Sequence, residues 1–154
     1  MGGLKIDFAT FDARDPFEST DAHLEYSVYR QRVQVMDVEG VRVAMPDRST
    51  LLLSKLKAAW DRQVRLDEGR PSNAMWERGK LVKDRADILA LVDPSMGGEE
   101  IDIASLGRSF DRYPFLVTAL DRAGADLDGI EKYGITGSED ARRAVDLLIG
   151  LTSG

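Results

Sequence analysis

At 154 residues and 17.1 kDa, 43% hydrophobic and 31% charged, the chain has the size and composition of one globular domain, which needs no disulfide or metal to hold a core together. Its 21 basic and 27 acidic side chains give a formal net charge of −6, which excludes a general basic surface for nucleic acid and leaves room for a local basic patch. The absence of cysteine excludes thiolate catalysis, disulfides and Cys-ligated metals, and the single histidine, His23, supports no His-rich metal site.

No run approaches the ~18 apolar residues of a membrane-spanning helix, and the N-terminal residues lack the apolar core of a signal peptide. A cytoplasmic location without membrane association is therefore expected. Residues 4–10 alternate Leu4, Ile6 and Phe8 with Lys5, Asp7 and Ala9, the period-2 pattern of a half-buried strand with Asp7 on its polar side. Residues 11–20 carry Asp12, Asp15, Pro16 and Glu18 and read as a loop. Residues 25–38 and 41–45 are rich in β-branched side chains and flank Glu39-Gly40, a hairpin signal that makes this pair antiparallel.

Beyond Pro46 the period changes. Leu52, Leu56, Ala59 and Trp60 recur at helical spacing and predict a helix over residues 50–66, closed by the polar segment 67–73. A second helix is expected over residues 81–92, ending before Asp93-Pro94. Amphipathic stretches at 101–110, 114–123 and 138–151 predict further helices, the last started by Ser138 as a cap. The expected fold class is α+β: a small mixed sheet with a central pair of helices over residues 1–95, and a helical bundle over residues 96–154 packed on it.

The two central helices place charge where their own periodicity predicts burial. At about 100° per residue, Lys55 falls between Leu51 and Ala59, with Arg62 beside it two turns on, while Lys57 and Asp61 fall on the opposite, solvated side. In the second helix Asp84 lies between Ile88 and Leu91, and Asp87 sits at the polar edge. Burying such charges unpaired costs several kcal/mol, so a Lys55–Asp84 contact between adjacent helices is expected. That contact either fixes how the helices dock or faces a ligand.

The order of these residues resembles the later motifs of AbiEii-like nucleotidyltransferases, in the polymerase-β-like nucleotidyltransferase superfamily. The K-[LF]-x-A-x-x-x-R pattern is met at Lys55, Leu56, Ala58 and Arg62, and K-D-x-x-D-[IL]-x-x-L at Lys83, Asp84, Asp87, Ile88 and Leu91. The likeness runs from about residue 4 to 92, the strand around Asp7 included. It implies a nucleoside-triphosphate site with Mg²⁺ chemistry, Lys55 and Arg62 as nucleotide-binding residues, Lys83, Asp84 and Asp87 supporting them, and Asp7 as a third catalytic carboxylate. It also implies a protein partner of the antitoxin kind and an RNA or protein acceptor.

The family's Gly-rich turn followed by D-x-D, which holds the catalytic metals, has no counterpart before the hairpin. Asp7 lacks an acidic partner two residues on, Asp12 and Asp15 are wrongly spaced, and Asp126-Leu127-Asp128 comes after both helices. The chain alone is therefore expected to be inactive, either as the later part of a longer protein or as a relative that kept the scaffold for binding. The alternative from another class is a non-catalytic interaction or scaffold domain in which Lys55 and Asp84 are structural. Gly97-Gly98 and 134–138 read as turns and helix starts, His23 as solvated, and Trp60 and Trp76 as packing residues. Arg30, Arg32 and Arg42 form a stripe only if the hairpin register allows.

Overall fold

The computed structural model describes residues 13–153; the strand expected over residues 4–10, with Asp7, lies outside them. The order is β1 (Arg14–Pro16), β2 (His23–Glu25), α1 (Ser27–Gln31), β3 (Val33–Val38), β4 (Val41–Pro46), α2 (Arg48–Asp67), α3 (Ala74–Val92), two single 3-10 turns, α4 (Ile103–Arg112), α5 (Phe115–Ala125), α6 (Leu127–Tyr133) and α7 (Ser138–Thr152). The fold class is α+β. Strands β1 and β2 form one antiparallel ribbon, β3 and β4 another.

The second ribbon follows the hairpin signal. Glu39 and Gly40 both take positive φ, +53° and +82°, the pattern of a two-residue primed turn, and the Gly40 amide donates to Asp37 Oδ1 at 2.8 Å. Its register sets Met36 opposite Val43 and Val38 opposite Val41, so these four side chains share one face. All four are exposed.

Local chemistry also sets the helix starts. Asp47 caps α2 by accepting from the Thr50 amide at 2.8 Å, and Asn73 caps α3 by accepting from Trp76 at 3.0 Å, which satisfies amides that have no partner within the helix. Helix α3 thus begins at Ala74, seven residues before the start expected from its apolar period. Residues 25–38 are broken by α1, so Arg30 lies in that helix, Arg32 at its end and Arg42 in β4; no strand carries all three. The expected loop at 11–20 contains β1, where Pro16 sits opposite His23 in a two-stranded edge pair, a position that tolerates proline. Helix α6 falls between the predicted amphipathic stretches, where the sequence pattern places no helix. At the start of α7 Gly137 occupies the cap position and Ser138 is the first helical residue, with no side-chain cap bond.

One core runs through these elements. Leu52 and Leu56 of α2, Ile88 of α3, Leu116 and Leu120 of α5 and Val145 of α7 are all fully enclosed in a continuous cluster. Phe17 joins it from the N-terminal side, 4.9 Å from the Tyr113 ring and 5.0 Å from Phe115. After α3 the chain turns tightly over its own end. A Cβ on Gly98 would stand 2.4 Å from the Val92 carbonyl oxygen, so only glycine fits there without a backbone shift. Among the described residues, no helix is long and apolar enough to cross a membrane.

Candidate functional site

The antiparallel pair α2–α3 brings the motif residues together. Lys55 Nζ lies 3.4 Å from Asp84 Oδ1 and 2.7 Å from Asp87 Oδ2. Arg62 donates from Nε to Asp84 at 2.8 Å and pairs through Nη1 with Glu77 at 3.2 Å. Arg65 bridges Glu77, at 2.9 Å from Nε, and Glu18, at 3.2 Å from Nη1. Lys83 holds Asp87 at 2.7 Å one helical turn away, and the Tyr133 hydroxyl of α6 donates to Asp87 at 2.6 Å. Glu18, Arg65, Glu77, Arg62, Asp84, Lys55, Asp87 and Lys83 thus form one chain of alternating sign.

Spacing explains the alignment. Lys55 and Arg62 are seven residues apart on α2, as are Glu77 and Asp84 on α3, so each pair occupies one face two turns apart. The expected Lys55–Asp84 contact is present, joined by Asp87. Glu77, Arg65 and Glu18 extend it. The i, i+7 spacing from Glu77 to Asp84 was the available signal for Glu77, hidden because the helix was expected to begin after it. Glu18 reaches Arg65 across 47 residues, and no local pattern announces such a pair.

Glu77 and Asp84 are buried, where an unpaired carboxylate is costly, and each has an arginine donor that offsets this cost. Burial works against ionisation of Asp87, but hydrogen bonds from Lys55, Lys83 and Tyr133 leave its pKa below the ordinary value. The Arg70 hydrogen bond likewise lowers Glu18, aided by Arg65 and opposed by burial. The same Asp87 hydrogen bond raises Lys83.

These carboxylates do not suit Mg²⁺. Every one of them already carries a cation, and a divalent ion would have to displace Lys55, Arg62 or Lys83. Among the described residues, no three His, Asp or Glu side chains converge as a metal site. Asp126 is taken by Arg85 at 3.0 Å. Lys55 and Arg62 are likewise engaged, so neither presents an uncommitted cation to a triphosphate.

A second buried ionic group corrects the expectation that Lys57 and Asp61 are solvated. Both are buried. Lys57 Nζ reaches Asp61 at 2.5 Å, Asp15 at 3.0 Å and the Pro16 carbonyl at 3.0 Å, and lies 5.2 Å from the Phe17 ring centroid. Asp61 also accepts from the Glu18 amide at 2.9 Å. Residues 15–18 therefore cross the polar face of α2 and cover it. Burial lowers the Lys57 pKa, but its two carboxylate partners outweigh this and raise it.

Trp60 packs as expected, 4.8 Å from the Phe115 ring with its indole N–H on the Glu18 carbonyl at 3.0 Å. Trp76 does not. It is exposed and stands beneath the cations of Arg62 and Lys80, 5.8 and 5.3 Å from its ring centroid, held at the surface by the first turn of α3. His23 is exposed in β2. Comparisons of the chain with protein-family models, curated proteins and solved structures return no match.

Proposed function

We propose that the chain is a nucleotidyltransferase-like domain working as a non-catalytic binding and scaffold module in the cytoplasm. The closed charge chain between α2 and α3 supports this reading most directly. Lys55 and Arg62, the cations that the resemblance assigns to nucleotide, are committed to Asp84, Asp87 and Glu77. A cation with two carboxylate partners is a poor phosphate ligand, because binding would desolvate the partners and break existing pairs. The protein partner that the resemblance implies would meet the β3–β4 ribbon, where Met36, Val38, Val41 and Val43 form an exposed apolar face of the kind that marks protein contacts. Its outer edges, which pair with no further strand among the described residues, would accept an added strand.

The competing reading, a triphosphate site at Lys55, draws on one observation: the Lys55 side chain keeps 34% of its surface exposed while Asp87 keeps 16%. Calorimetric titration of ATP with Mg²⁺ into the wild-type chain and Lys55→Met separates the two. The expected result is no Lys55-dependent binding, and no label transfer from nucleoside triphosphate to RNA or protein. Saturable binding that vanishes in a folded Lys55→Met variant would overturn the scaffold reading.

A further inference from the structure

We infer that the groove between α1 and α4 is a binding site for a small phosphate-bearing ligand, separate from the Lys55 cluster. The groove is a cavity of about 560 Å³, within the size range of small-molecule sites. Its walls bring together three guanidinium groups, Arg32, Arg108 and Arg112, with the hydroxyls of Ser27 and Ser105. One carboxylate, Glu25, shares the lining. Three guanidinium groups in one groove are unexpected on a chain of charge −6, although carboxylates stand near each: Asp47 and Asp102 beside Arg32, Glu25 beside Arg112, and Asp102 within electrostatic reach of Arg108.

The three arginines are not equivalent. Arg32 is fixed by Asp47 at 2.6 Å and Asp102 at 3.0 Å, and forms a rigid wall. Arg112 meets Glu25 at 3.4 Å with both side chains largely exposed, a contact that solvent weakens. Arg108 is exposed and makes no direct ion pair among the described residues, its attraction to Asp102 acting over a longer distance. The Ser27 and Ser105 side chains make no hydrogen bond there either.

Helix geometry aims these groups together. Ser105, Arg108, Ser109 and Arg112 fall at i, i+3, i+4 and i+7 of α4, one stripe beside the buried Leu106 and Phe110. Leu53 of α2 lines the bottom of the groove, and Lys55, two residues on, points about 200° away around the same helix. Planar guanidinium forks with hydroxyl donors match the tetrahedral oxygens of a phosphate, which can accept from several donors at once. A phosphate monoester would draw Arg112 away from Glu25 and give Arg108 a closer counter-ion than Asp102.

Calorimetric titration with inorganic phosphate and with ribose 5-phosphate tests this, at constant ionic strength set with chloride. Saturable binding is expected for at least one probe. Saturation by both at equal affinity means that the phosphate alone is read; tighter binding of the ester means that the groove also holds its carrier. The double variant Arg108→Gln/Arg112→Gln is expected to weaken binding about tenfold or more and to keep the thermal midpoint of the unliganded chain, since both side chains are exposed. A control variant, Arg143→Gln on α7, is expected to bind as the wild type does. No saturable binding of either probe, equal loss in the control, or binding of a homopolymeric RNA in the absence of binding of both small molecules would overturn the inference. Binding lost in Lys55→Met and kept in the groove variant would overturn it as well.

Discussion

Asp84 accepts from Arg62 and Lys55 while itself buried, so water cannot take its place for either cation. Asp84→Ala leaves Arg62 short of a partner beneath α3 and is expected to cost about 3–5 kcal/mol in urea denaturation. Lys55→Met is expected to cost less than about 1 kcal/mol, because the lysine side chain is a third exposed and Asp87 keeps Lys83 and Tyr133. The asymmetry is what distinguishes a structural cluster from a ligand site built around the lysine. At this scale the sequence was readable where a charge broke the apolar period of its own helix, as Lys55 and Asp84 do. It was misleading for Lys57 and Asp61, whose cover comes from residues 15–18, more than forty positions away. Helical periodicity describes a face; what lies on that face is a tertiary fact.

Elements with strong punctuation were legible from the chain. Gly40 marked a turn, and α2 and β4 lie close to where the pattern placed them, while β3 is only the last six residues of the strand expected over residues 25–38. Short elements were not. Strand β1 has three residues and ends on a proline, α1 has five, and α6 has seven, too few for a period to emerge; α6 is held instead by contacts such as Arg85 with Asp126 and Tyr133 with Asp87. The β3–β4 ribbon is a locally encoded element that adds little to the core. Val38 and Val41 are exposed to 49% and 63%, so Val38→Thr/Val41→Thr is expected to shift stability by no more than about 0.5 kcal/mol in either direction. A large loss of thermal midpoint in that variant would mean that the apolar face is already covered in solution.

For the whole molecule, the carboxylates that tie distant segments together set the acid limit of stability. Asp87 and Asp47 are below their ordinary value of 3.8 and Glu18 below 4.5. For Asp47, burial opposes ionisation, and hydrogen bonds from Thr50 and Arg32 outweigh it. A carboxylate whose folded pKa is depressed contributes stability in full above its unfolded value, and loses it as the pH falls through the lower folded value. The thermal midpoint is therefore expected to be level through neutral pH and to fall once the pH drops below about 4. Asp87→Asn is expected to flatten part of that decline, which a series of melting curves in matched buffers would reveal. The overall charge of −6 announced none of this, since it counts residues and says nothing about which are paired.

The alternating order along α2 and α3 also constrains how the two helices can be aligned. Sliding α3 along α2 by one turn, about 5.4 Å, would carry Asp84 and Glu77 off the arginines that now serve them and leave buried charges facing apolar side chains. A purely apolar seam tolerates such a shift far better, because leucines and alanines are nearly interchangeable as neighbours. The charge chain thus acts as a ruler. It rejects misaligned versions of the helix pair during folding, and its worth lies in the alternatives it makes costly more than in the energy of any one pair.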